Sequence, residues 1–138
     1  MKKIFFLTLF VLLFASCRSL NPRQPDGSWR LSHMILSNGV VLEPAGQISL
    51  IFYPEERGIG GTAVCNNYGA RYTLADSVIA FSEIAATEAY CGENAGDQEF
   101  FLGLQHAQTY FRTDSSFRIK SVGDVVEMHF TPLPHNER

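Results

Sequence analysis

Ile48-Ser49-Leu50-Ile51-Phe52-Tyr53, Pro54-Glu55-Glu56-Arg57-Gly58, Ile59-Gly60-Gly61-Thr62-Ala63-Val64-Cys65 and Asn66-Asn67-Tyr68-Gly69 set the rhythm that decides the fold. β-branched and aromatic residues fill the first run, while Pro, Gly and Asn fill the breaks, which is the alternation of strand and tight turn. The pattern predicts strands over residues 48–53 and 59–65, a turn at 66–69 and a return strand over 70–74.

Working outward, Trp29, Leu31, His33 and Ile35 alternate with Arg30, Ser32, Met34 and Leu36, and Ser37-Asn38-Gly39 turns the chain towards 40–42. Downstream, Asp76-Ser77 leads into a strand over 78–81, and a closing hairpin is read from 117–122 and 125–131 around Gly123-Asp124. One segment departs from period two. Between Asn94 and Arg112, Phe100, Leu104, Ala107 and Phe111 recur at helical spacing, with Asp97 and Glu99 at the start and Arg112 at the end, as a helix dipole prefers. The expected fold is α+β: seven to eight short antiparallel strands in a small curved or barrel-like sheet, with one helix packed on it. Turns this short exclude parallel crossovers.

The chain has 138 residues, 46% hydrophobic and 18% charged, which excludes a disordered or collagenous protein. With Lys2 and Lys3 set aside, nine basic residues face 14 acidic ones, a balance unsuited to nucleic acid. Those two lysines open a different segment: a basic start, then the apolar run 4–15, broken only by Thr8. As a helix this run spans about 18 Å against a hydrocarbon core of roughly 30 Å, so it is read as a signal peptide. Phe14-Ala15-Ser16-Cys17 then resembles a bacterial lipobox, with small residues before the acylated cysteine. The expected organisation is a lipoprotein signal peptide at 1–16, a flexible Pro-containing tether at 17–27, a domain at 28–132 and a polar tail at 133–138. Two or three acyl chains on Cys17 suffice for stable anchoring, where one is marginal.

The stretch Gly61 to Tyr72, with Cys65-Asn66-Asn67-Tyr68 inside it, is followed by Thr87-Glu88-Ala89-Tyr90-Cys91 and by a helix in which Glu99 with Leu102, or Asp97 with Phe100, comes nearest an E-x-x-F spacing. Together with Trp29-Arg30-Leu31, this order resembles the META domain of HslJ-like proteins over roughly residues 28–132. Ala89-Tyr90 stands where that family often carries Met-Ala. The resemblance implies a small exported or lipid-anchored protein linked to stress responses, with no established enzymatic activity. Together with the lipobox, the expected residence is the bacterial cell envelope, lipid-anchored on the outer membrane and facing the periplasm.

Cys65 and Cys91 remain once Cys17 carries lipid. In an oxidising compartment an even pair is a disulfide candidate, and bridging them stabilises by roughly 3.5 kcal/mol on chain-entropy grounds; two reduced buried thiols are the alternative. Asn66, Tyr68, Thr87 and Tyr90 are candidate ligand-binding residues if they line one polar and aromatic mouth, and otherwise serve turn and packing. His33, His106, His129 and His135 are scattered singly, so no metal and no cofactor is expected. Cys91 with His106 could form a nucleophilic pair only if the cysteine were free. The reading is therefore a non-catalytic, monomeric envelope module with no catalytic residues, whose partner beyond the membrane is another envelope protein or a small ligand. A small-ligand or lipid carrier and a thiol enzyme are the alternatives.

Overall fold

In the computed structural model, residues 23–134 are described. Cys17, the signal segment, the first part of the tether and residues 135–138 lie outside them. Among the described residues nine strands occur: β1 Ser28–Leu36, β2 Val41–Leu42, β3 Ser49–Tyr53, β4 Gly58–Ala63, β5 Asn66–Ala75, β6 Val78–Ala86, β7 Ala107–Arg112, β8 Phe117–Ser121 and β9 Val126–Pro132. The α-helix of the described residues, α1, spans Asp97–Gln105. Every pairing is antiparallel, and β1 pairs with β9 from Trp29↔Pro132 to Leu36↔Val126, so eight strands close into a barrel with β2 added on the second half of β1. The expected α+β barrel with one packed helix is what the chain forms.

The registers sort the turns onto two ends. The 3-10 turn Pro54–Glu56, the β5–β6 turn at 76–77, the β7–β8 turn at 113–116 and both described chain ends lie at one, the terminal end. The tight turn at 64–65, the segment 87–96, α1 and the 3-10 turn Val122–Asp124 lie at the other, the helix end. Residues 23–27, expected as tether, are laid against the terminal end. Pro25 is fully buried, the Trp29 indole N–H donates to Asp26 O at 2.7 Å, and Leu133 N–H donates to Ser28 O. Arg112 stacks its guanidinium over Trp29 at 5.5 Å, donates to Gln24 O at 2.7 Å and pairs with Asp26.

Three local readings are corrected. The β4–β5 hairpin turns at Val64-Cys65, not at 66–69, because Ala63 pairs with Asn66 and the chain resumes its alternation at once, with Asn66, Tyr68, Ala70 and Tyr72 all inside. Val64 takes the left-handed conformation (φ 60°), rare for a β-branched residue, and is held there by donating its N–H to Gln47 O. In β1 the register shifts between Leu31 and His33, and this bulge inverts the alternation so that Met34, not His33, enters the core. The helix ends at Gln105, after about two and a half turns rather than about five. Its apolar stripe is Phe100 and Leu104, both fully buried. Beyond His106, Thr109-Tyr110-Phe111 has strand chemistry, and in β7 Tyr110 faces in while Phe111 is exposed.

The core is aromatic and continuous. Phe117 contacts Trp29 (5.4 Å between ring centroids), Phe52 (5.6 Å) and Phe130 (5.7 Å), while Phe100 meets Tyr68 edge-on at 5.3 Å. Side chains fill the interior, as in small barrels generally.

Two glycines mark close approaches. A Cβ on Gly61 would sit 2.3 Å from Ser49 O, a backbone atom fixed in β3. One on Gly103 would meet the Met128 sulfur at 2.8 Å, the far end of a flexible side chain. Gly61→Ala should therefore cost about 3 kcal/mol or more. Gly103→Ala regains about 1 kcal/mol of helix propensity and should fall within about 1 kcal/mol of wild type. Urea denaturation of the two variants checks this ordering.

Candidate functional site

The segment between β6 and α1 folds over the rim of the barrel, and a buried side chain and a disulfide hold it. Asn66, at the first position of β5, is 3% exposed. Its Oδ1 accepts from the Ala89 N–H at 2.8 Å and from the Thr87 hydroxyl at 3.0 Å. Its Nδ2 donates to Ala89 O at 3.0 Å and lies 3.3 Å from both Cys91 Sγ and Asp97 Oδ2. The amide thus pairs with residue 89 through both backbone groups, as a neighbouring strand would. Thr87 Oγ1 also accepts from the Asn67 N–H at 3.0 Å. Cys65, at the hairpin apex, is joined to Cys91 by a disulfide with Cα atoms 5.6 Å apart. With its sulfur bridged, Cys91 is not paired with His106.

Outside this staple runs a groove of about 490 Å³ between the far half of β6 and α1, bordered by Ile84, Ala86, Thr87, Tyr90, Phe101 and Gln105. Asn66 closes its inner end. Of the four residues proposed for one mouth, Asn66, Thr87 and Tyr90 meet there, and Tyr90 is 79% exposed. Tyr68 does not. Two positions deeper along β5, it is buried against Phe100 and Phe101. Its hydroxyl donates to Ser49 O at 2.8 Å, and burial, with Tyr53 as a lesser cause, holds its pKa well above the usual phenol value. It is a core residue.

The META domain family model matches residues 21–132. The chain belongs to the META domain family. No curated protein matches it. Among solved structures, this META domain is similar to an NMR structure of a protein from Burkholderia xenovorans, with TM-score 0.65, 19% identity and coverage of 80% of this chain and 83% of that one. It is also similar to a crystal structure of a DUF4847 family protein from Bacteroides vulgatus, with TM-score 0.57, 13% identity and coverage of 77% and 92%. At these identities the likeness is one of fold.

Sequence reading of the META domain missed the helix's share in the groove. Asp97, Phe101 and Gln105 were visible only as helix positions, and their i, i+4 spacing is the signal that puts them on one face. Among the described residues, no three His, Cys, Asp or Glu side chains cluster as metal ligands do.

On the outer face of the β1–β9 seam, His33 and His129 stack with ring centroids 4.5 Å apart, and His129 Nε2 lies 2.9 Å from Glu127 Oε1. That contact lacks hydrogen-bond alignment. Partial burial, and then the neighbouring His33, hold the His129 pKa below its ordinary 6.5, with Glu127 opposing and Arg118 adding slightly.

Two predictions follow from these groups. Asn66→Ala leaves the Ala89 backbone groups without partners and should destabilise by about 2–3 kcal/mol, whereas exposed Tyr90→Ala should change stability by less than about 0.5 kcal/mol; thermal unfolding separates them. Because the His129 pKa is lower folded than unfolded, its neutral ring favours the folded state above pH 6.5, and that advantage is lost as the pH falls through that value. The melting temperature of the wild type should drop between about pH 7 and 5 more steeply than that of His129→Gln.

Proposed function

We propose that this META domain protein is a non-catalytic, lipid-anchored binding module of the bacterial envelope, facing the periplasm and serving a stress-related role. The observation that carries the reading is where the chain spends its reactive and apolar groups. Cys65 and Cys91 are tied in a disulfide, and the aromatic residues fill the barrel, so what faces outward at the helix end is a rigidly walled groove. A disulfide suits an oxidising compartment, in keeping with the signal segment and with Cys17 as the lipidation site. A filled interior leaves no room for a lipid carried inside, and a bridged sulfur is no nucleophile.

Fractionation of cells making the full chain tests the anchor: wild type is expected with the membranes and Cys17→Ser in the soluble fraction, and retention of the variant on membranes removes the lipoprotein reading. Iodoacetamide added without reductant tests the non-catalytic reading. Cys65 and Cys91 should stay unmodified, and rapid alkylation of Cys91 would turn the assignment towards thiol chemistry.

A further inference from the structure

We infer that the groove takes an extended, positively charged peptide segment of a second envelope protein, which lies alongside the open edge of β6. This deepens the binding reading above, on which it rests, by naming the partner's chemistry. Seven of the eight seams of the barrel are laddered; the eighth, between β6 and β7, is bonded at Val78↔Thr109. In that register Ala107, the first residue of β7, stands opposite Ala80, so among the described residues no strand lies along the β7 side of β6 from Phe81 to Ala86, while β5 pairs with its other side. An unaccompanied edge offers backbone donors and acceptors to an incoming strand, and alternate side chains of that strand need a receiving surface beside it. The groove is that surface, with Ile84 and Ala86 from β6 on one side and Phe101 and Gln105 from α1 on the other.

Its far wall is fixed before any partner arrives, because Asn66 and the disulfide pin residues 87–91 to the rim. Little ordering is left to oppose binding.

Charge selects the occupant. From Tyr72 to Phe111 the sequence has no Lys or Arg and six carboxylates. Glu88 and Asp97 border the groove, while Glu93 and Glu99 border an adjoining hollow of about 320 Å³ that shares Tyr90 and Asp97 with it. The exposed Tyr90 ring adds a face suited to an ammonium or guanidinium group. Orientation agrees: both described chain ends lie at the terminal end, so an anchor at Cys17 leaves the groove pointing away from the membrane.

The test uses the mature full chain in detergent, titrated with a peptide of about ten residues alternating Lys and Val, a length that matches a strand of this sheet. Calorimetry should report binding, hydrogen exchange should slow at the amides of residues 82–86, and a Glu88→Gln, Glu93→Gln, Glu99→Gln variant should bind about tenfold more weakly. The same peptide with every backbone nitrogen methylated keeps its charge and loses its strand donors; it should not bind. Absence of binding, equal binding of a Glu–Val peptide, equal binding of the methylated peptide or protection elsewhere would each overturn the inference. None of these outcomes bears on the anchor, which the Cys17→Ser fractionation decides separately.

Discussion

The barrel depends on α1 being packed into its helix end, beside the seam where the sheet fails to close. Eight strands share a ladder all the way round except between β6 and β7, where pairing stops after Val78↔Thr109. Phe100 and Leu104 enter the core with no exposed surface as the helix packs against β9, β6 and β8, and Gly103 lets the helix backbone approach Met128 of β9. Nine helical residues are too few to persist alone in water, so helix and barrel stabilise each other or neither forms. The unladdered seam explains why a groove exists outside: a short helix fills the end of the barrel without covering the β7 side of β6.

Asn66 gives that edge its shape. A buried amide is tolerated only when its donors and acceptors are met, and here they are met by the backbone of residue 89, by Thr87 and by Asp97. The disulfide restrains the same segment covalently from the hairpin apex next door. Two independent ties on one loop make a wall that keeps its position, and this rigidity favours recognition of a partner by a preformed surface over a moving lid.

Strand content and the antiparallel order were legible because β-branched and aromatic residues alternate between turn residues for most of the domain. What failed was phase. A bulge in β1 exchanges His33 for Met34 in the core, and nothing in the order of residues announces a single extra position. Asn66-Asn67-Tyr68-Gly69 has turn chemistry, yet the tertiary demand for Tyr68 inside the barrel moves the turn to Val64, which accepts an unfavourable backbone conformation in exchange. Phe111 extended the helical stripe by coincidence, since a period of 3.6 and a later strand placed apolar residues at compatible spacings. Of the candidate site, Asn66, Thr87, Tyr90 and both cysteines were visible as residue types, whereas the helix face opposite them required the third dimension.

The hydrogen bond from Leu133 N–H to Ser28 O places the beginning and the end of the folded part side by side on the face remote from α1. A few glycine and serine residues could therefore join the two, and the chain could instead be cut at the exposed Asp114-Ser115 tip without disturbing a ladder. The order in which the strands are synthesised is thus separable from the architecture they build, and a reporter fused at either original end sits clear of the groove.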